Sequence, residues 1–78
     1  MNLWIVIDSL SNEPEVFSDR DAAISFALEI LRDYQDRWHF DQEEYEDSCA
    51  DLKNGRCNYE CWGTYLGECE INIFRKFI

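Results

Sequence analysis

The stretch SDRDAAISFALEILRDYQDRW, residues 18–38, decides much of the fold because its apolar residues recur at steps of three and four. This spacing places apolar side chains along one side of an α-helix. Ser18 as the N-cap, with Asp21 three residues later in the manner of a capping box, predicts where the helix begins. The expected apolar stripe comprises Ala23, Ala27, Ile30, Leu31, Tyr34 and Trp38, widened by Ile24 and Leu28. One face of this helix is therefore predicted to pack on a sheet.

Strand signals lie on both sides of this helix in the sequence. Residues 3–7, LWIVI, form a continuous β-prone run, which is typical of a central strand covered on both faces. Residues 15–17 are predicted to form a short second strand after a turn. In residues 69–74 apolar and mostly polar side chains alternate, as in a half-buried strand, and residues 63–67, with glycine at each end, are predicted to form the loop before it.

A second helix is predicted after residues 38–40, where the first pattern ends. Asp41 and Glu44 give another capping signature, and residues 54–55, Asn-Gly, provide a stop. Tyr45, Cys49 and Leu52 fall on one face of this segment. The sequence thus predicts a single α+β domain over residues 1–78, with a small, mainly antiparallel sheet packed against one long or kinked helix or two helices.

The charge balance is strongly acidic, with 17 Asp and Glu against seven Lys and Arg, for a formal charge of -10. Such a chain repels nucleic-acid phosphates and anionic lipid, so neither is an expected partner. The N-terminal apolar run has no basic flank and is broken at Asp8, which predicts no secretory signal and no membrane span. We therefore expect a cytoplasmic protein.

Six of the acids are concentrated between residues 41 and 51, a segment without Lys or Arg. They are Asp41, Glu43, Glu44, Glu46, Asp47 and Asp51. One interpretation is a solvated helix face. The functional interpretation is a partner-binding surface whose carboxylates imitate nucleic-acid phosphates and bind Arg and Lys of another protein.

The four cysteines, Cys49, Cys57, Cys61 and Cys69, are a candidate metal site. A domain of this length has a small core and usually needs a disulfide, a metal or a partner for stability. One structural zinc would require the four sulfurs to lie within about 4 Å of each other. Cys57 and Cys61 would be about 13 Å apart on one strand, so zinc binding predicts a turn or helical coil at residues 58–60. Iron is an alternative ion for four thiolates.

Two other interpretations of the cysteines stay open. A hairpin that placed Cys61 opposite Cys69 would suit a disulfide in an oxidising compartment. Free cysteines are also among the most frequently buried residues and could simply fill the core. His39 could replace one thiol as a ligand, although a single histidine between aromatic residues is more often a packed or surface residue.

Catalytic signatures are absent from the sequence. There is no glycine-rich phosphate loop and no serine nucleophile motif, and one histidine would have to serve all acid–base steps. The acidic segment also lacks the alternating ligands and central glycine of a calcium loop. The sequence therefore predicts a binding protein and not an enzyme.

In length, charge and the succession of LWIVID and SDRDAAISFALEILRDY, the chain resembles the small acidic anti-CRISPR proteins of phages. The resemblance implies a stoichiometric inhibitor in an infected or lysogenic bacterial host. Its partner would be a CRISPR effector nuclease, with type II single-protein effectors as the first candidates, or another basic nucleic-acid-binding protein. It would block access of nucleic acid. The alternatives are a small zinc-binding adaptor or regulator of host transcription or another defence pathway, and a secreted disulfide-bonded module.

Overall fold

The computed structural model describes residues 1–11, 13–54 and 61–78, which form an α+β fold as predicted. The elements are β1 (Asn2–Asp8), β2 (Glu15–Phe17), α1 (Arg20–Trp38), α2 (Gln42–Lys53), β3 (Cys61–Leu66) and β4 (Cys69–Phe77). The four described strands pair antiparallel in the order β2-β1-β4-β3. The small antiparallel sheet and the two-helix form of the prediction are confirmed.

The predicted loop over residues 63–67 is wrong, because most of it belongs to strand β3. Thr64 and Leu66 are buried while Gly63 and Tyr65 between them are exposed, the alternation of a half-buried strand. Only two residues, Gly67 and Glu68, connect β3 to β4. Gly67 has φ 63°, which a tight hairpin requires at its first central position and which glycine adopts without strain.

Helix α1 begins one residue later than predicted. Its N-cap is Asp19 and not Ser18, since the Asp19 side chain accepts a hydrogen bond from the amide of Asp21. At the other end His39 adopts a left-handed conformation with φ 51°, and its amide bonds to the Gln35 carbonyl. This left-handed residue ends α1 and allows the chain to turn into α2.

Helix α2 has the predicted limits. Asp41 is the N-cap and accepts a hydrogen bond from the amide of Glu43, while Asn54 is the C-cap. The two sides of the helix differ in exposure: Ser48 and Leu52 are buried, whereas the acidic residues are exposed. The amphipathic pattern therefore fixes which side of α2 faces the rest of the protein.

The core lies between the two helices and one face of the sheet. It is formed by Val6, Ala23, Ile24, Ala27, Leu31, Tyr34, Leu52, Leu66, Cys69, Ile71 and Ile73. The predicted stripe of α1 is thus confirmed, except that Trp38 at its end is 48% exposed. The guanidinium carbon of Arg20 lies 5.3 Å from the centre of the Trp62 ring.

The prediction that β1 is covered on both sides is wrong, because among the described residues the helices cover only one face of the sheet. Leu3, Ile5 and Ile7 alternate with the core-facing Val6 and are half-buried, but they are not among the residues that pack on the core. Within the described ranges, both helices pack on the opposite side. We call this second side the open face, and its strand residues are Leu3, Ile5, Ile7, Val16, Cys61, Gly63, Tyr65, Glu70, Asn72, Phe74 and Lys76.

Candidate functional site

The described cysteines occupy three different environments. Cys69 is buried at the start of β4, Cys49 is half-buried on α2, and Cys61 is exposed on the open face at the start of β3. The hairpin register pairs Cys69 with Leu66 and Cys61 with Phe74. Cys61 is five residues from the position opposite Cys69, so their Cα atoms are about 16 Å apart.

This register bears directly on the interpretations of the cysteines. A hairpin does form, but the expectation that it places Cys61 opposite Cys69 is wrong, and these two thiols cannot bond or share one ion in this arrangement. Over residues 1–11, 13–54 and 61–78, no cluster of three or more metal-binding side chains is found. Cys57 and the turn expected at residues 58–60 lie outside the described residues, so zinc binding stays a prediction.

Cys69 has the character of a core thiol. Burial raises its pKa, and the negative charges of Asp8 and Glu68 raise it further. The thiol is therefore protonated at neutral pH and makes a poor nucleophile. Cys49 likewise packs at the edge of the core, beside Tyr45 one turn earlier. For these two residues the structure agrees with the interpretation as space-filling side chains.

The acidic residues form one continuous surface on α2 and its N-cap. Asp41, Glu43, Glu44, Glu46, Asp47 and Asp51, which we call the acidic surface, are all exposed. Glu43, Asp47 and Asp51 are spaced by four residues and so form a row on the helix. Like charges at this spacing cost about 0.2–0.5 kcal/mol per pair. The described hydrogen bonds of Glu46 and Asp51 are to the neutral residues Gln42 and Thr64.

Three side-chain hydrogen bonds fix α2 beside strand β3. The Ser48 hydroxyl donates to the Tyr65 carbonyl at 2.7 Å, and the Trp62 indole donates to the Leu52 carbonyl at 3.2 Å. The Thr64 hydroxyl donates to the carboxylate of Asp51 at 3.1 Å. Since β3 is at the edge of the described sheet, α2 also covers part of that edge. The helix that carries the carboxylates is thereby held in a fixed orientation relative to the sheet.

A groove of about 500 Å³ runs between α2 and the hairpin β3–β4. Glu44, Asp47 and Asp51 line its helix side, and residues 63–67 line its strand side. At Gly67 this groove meets a second, more apolar one, which Leu10, Trp38 and Phe40 line. The acidic surface is therefore continuous with exposed aromatic area, the combination that protein interfaces use for charge steering and for anchoring.

Asp8, which the sequence patterns did not single out, connects the end of β1 to the following turn and to α1. Its buried carboxylate accepts hydrogen bonds from the amides of Leu10 and Ser11, from the Ser11 hydroxyl and from the Tyr34 hydroxyl. Burial by itself would raise the pKa of Asp8, but these four donors hold it below its ordinary value. The signal in the sequence was an Asp followed three residues later by Ser, a pattern typical of side-chain-capped turns.

The pKa of the Tyr34 hydroxyl is shifted in the opposite direction, above its ordinary value. Burial raises its pKa far above the ordinary value, and the hydrogen bond to the Asp8 carboxylate raises it further. A phenol that donates to a carboxylate cannot also act as a base at neutral pH. The Asp8–Tyr34 pair is therefore a structural contact between β1 and α1.

His39, the alternative metal ligand, is exposed at the end of α1.

Neither described helix is both long and apolar enough to span a membrane. No family model, curated protein or solved structure matches this chain.

Proposed function

We propose that this protein is a non-catalytic inhibitor that binds a cationic surface of another protein through the acidic surface of α2. The observation that supports the proposal is the division of α2 into two sides. One side is held on the core and on β3, and the other presents Glu43, Glu44, Glu46, Asp47 and Asp51 to solvent. A row of like charges destabilises the helix that carries it, and this cost is recovered when a cationic partner binds.

The resemblance to anti-CRISPR proteins is the reason for proposing a CRISPR effector nuclease as the partner. A CRISPR effector nuclease has a positively charged channel that holds its guide and target. A rigid acidic helix that occupied this channel would exclude nucleic acid by competing for the same Arg and Lys side chains. In this proposal the protein acts in the bacterial cytoplasm, at a ratio of one inhibitor to one nuclease.

DNA cleavage by guide-loaded type II single-protein effectors, measured with increasing amounts of this protein, tests the proposal. We expect inhibition to be complete near equimolar protein and to weaken as NaCl is raised, because charge pairs at an interface are screened. The double variant Glu46→Lys/Asp47→Lys should weaken inhibition at least about tenfold.

The matched control is Glu29→Lys/Asp33→Lys on α1, which changes the net charge equally and alters exposed residues in the middle of a helix. It should change inhibition less than about threefold. Equal losses in the two variants would show that only net charge matters and would refute the assigned surface. If the protein inhibits none of the type II effectors that are tested, the proposed class of partner is wrong.

A further inference from the structure

Five of the eight exposed large apolar side chains among the described residues lie on the open face or at its end. Of the eight such residues, Val16, Tyr65 and Phe74 lie on it directly. Met1 and Ile78 extend it at one end, because each donates its amide or amino group to the carbonyl of the other and so continues the β1–β4 ladder. The remaining three, Leu10, Trp38 and Phe77, lie elsewhere.

One apolar row crosses the whole described sheet. Val16 pairs with Ile5, Ile5 pairs with Phe74, and Phe74 pairs with Cys61, so one side chain from each strand stands at the same level. Cross-strand neighbours on one face lie about 5 Å apart, so the row is continuous. No described residue of either helix covers it.

Charge on the open face is sparse and balanced. Its strand residues include one acid, Glu70, and one base, Lys76, while the acidic surface is on α2 beyond the core. A hydrogen bond of 2.6 Å from the Asn72 amide to the Glu70 carboxylate confirms that these two side chains share the face. The strong net charge of the protein therefore does not oppose contact at this face as it would at the helices.

We propose that the open face binds the open face of a second copy of this chain, forming a two-fold symmetric dimer. Glu70 and Lys76 lie on the same strand, six residues or about 20 Å apart, with Asn72 and Phe74 between them. A two-fold axis that runs across the strands between the stacked sheets brings Glu70 of each copy to Lys76 of the other. The face is thus complementary to itself in charge.

The positions of Glu70 and Lys76 decide between two possible orientations of the two-fold axis. An axis parallel to the strands would stack β4 of one copy on β1 of the other, and Lys76 would then lie against Leu3 without a carboxylate. An axis across the strands stacks β4 on β4 in opposite directions and pairs both charges. It also brings Ile5 against Ile7 of the second copy and places the two apolar rows side by side.

The size of the face sets the expected strength of the dimer. The four described strands are seven, three, six and nine residues long. At a rise of about 3.3 Å per residue and a strand spacing of about 4.8 Å, they give about 400 Å² from each copy. The total of about 800 Å² is below the area of about 1,000 Å² that specific interfaces usually exceed. We therefore expect a weak dimer, with a dissociation constant on the order of 100 μM.

Sedimentation velocity of the full chain, from about 1 μM to about 1 mM, is the test. A shift from monomer to dimer over this range is expected. Phe74→Asp should weaken the dimer at least about tenfold, because it places a carboxylate in the centre of the apolar row. Leu10→Asp, at an exposed apolar residue off the face, should leave it unchanged within about twofold.

The charge variants test the symmetry and do not depend on the apolar core of the interface. Glu70→Lys and Lys76→Glu change the net charge in opposite directions, yet each should weaken the dimer about threefold to tenfold, because each creates two like-charge contacts. The double variant Glu70→Lys/Lys76→Glu should restore the dimer. A protein that is monomeric at every concentration would refute the proposal. A dimer that is insensitive to Phe74→Asp, or one that the double variant does not restore, would refute it equally.

Discussion

The Tyr34 hydroxyl donates a 2.8 Å hydrogen bond to the Asp8 carboxylate and so joins the C-terminal part of α1 to the end of the central strand β1. The two residues are 26 positions apart, and the contact is buried. Because Asp8 also holds the turn at Leu10 and Ser11, one carboxylate fixes a strand end, a turn and a helix together. Its loss should therefore affect the whole fold.

Removing the phenol hydroxyl tests this contact. Tyr34→Phe keeps the ring in the core but removes one donor to a charged acceptor, so the free energy of unfolding should fall by about 1.5–3 kcal/mol. Tyr65→Phe is the control, because Tyr65 is 68% exposed and its loss of a hydroxyl should change stability by less than about 0.5 kcal/mol. Urea unfolding followed by circular dichroism measures both. Equal effects in the two variants would contradict a special role for the Asp8–Tyr34 bond.

The contribution of Asp8 should depend on pH in the acid range. The folded-state pKa of Asp8 is below its ordinary value, so the charged carboxylate stabilises the fold above the unfolded-state pKa of about 3.9. That contribution is lost as the pH falls through the folded-state pKa. Asp8→Asn should accordingly cost about 1.5–3 kcal/mol at pH 7 and progressively less below about pH 4. A difference between the two proteins that is constant from neutral to acid pH would show that Asp8 titrates normally in the fold.

Gly67 should tolerate no side chain. A Cβ atom at this position would clash with the ring of Phe40, and φ 63° is strained for residues other than glycine. Gly67→Ala should therefore lower the free energy of unfolding by about 1–3 kcal/mol. Glu68→Ala, one residue later in the same turn, should cost less than about 0.5 kcal/mol. The prediction fails if the two alanine variants unfold at the same urea concentration.

The cysteines should differ in their rates of alkylation. In dilute protein, iodoacetamide should modify the exposed Cys61 at least about tenfold faster than the buried Cys69, whose thiol is protonated at neutral pH. Mass spectrometry of peptides would give the rate at each site. Comparison with and without a chelator also tests the zinc prediction. If Cys61 is protected until the chelator is added, a metal holds its thiolate.

Local sequence patterns were sufficient for the helices, for β4 and for the fold class. Helix periodicity, the caps near residues 19 and 41 and the alternation in β4 each arise from neighbouring residues on one element. The small shift of the first N-cap, from Ser18 to Asp19, reflects two adjacent residues that can both accept the capping bond. The acidic surface was predicted for the same reason, since all of its residues belong to a single helix and its cap.

Strand β3 was missed because its local signal is interrupted. Trp62, Thr64 and Leu66 do alternate with Cys61, Gly63 and Tyr65, but glycines at 63 and 67 favour a loop when the segment is considered alone. Pairing with β4 and hydrogen bonds between β3 and α2 stabilise it as a strand. The separation of Cys61 from Cys69 follows from that pairing, which no cysteine spacing in the sequence could reveal.

The sequence by itself determined where the helices and the two principal strands lie and which helix face is charged, because these properties depend on residues within a few positions of each other. Only the tertiary structure decided what covers each surface. The apolar run in β1 indicates that its side chains are buried. What lies against Ile5 depends on the path of segments that are distant in the sequence. For the same reason the contact of Tyr34 with Asp8 and the open face depend on the tertiary structure.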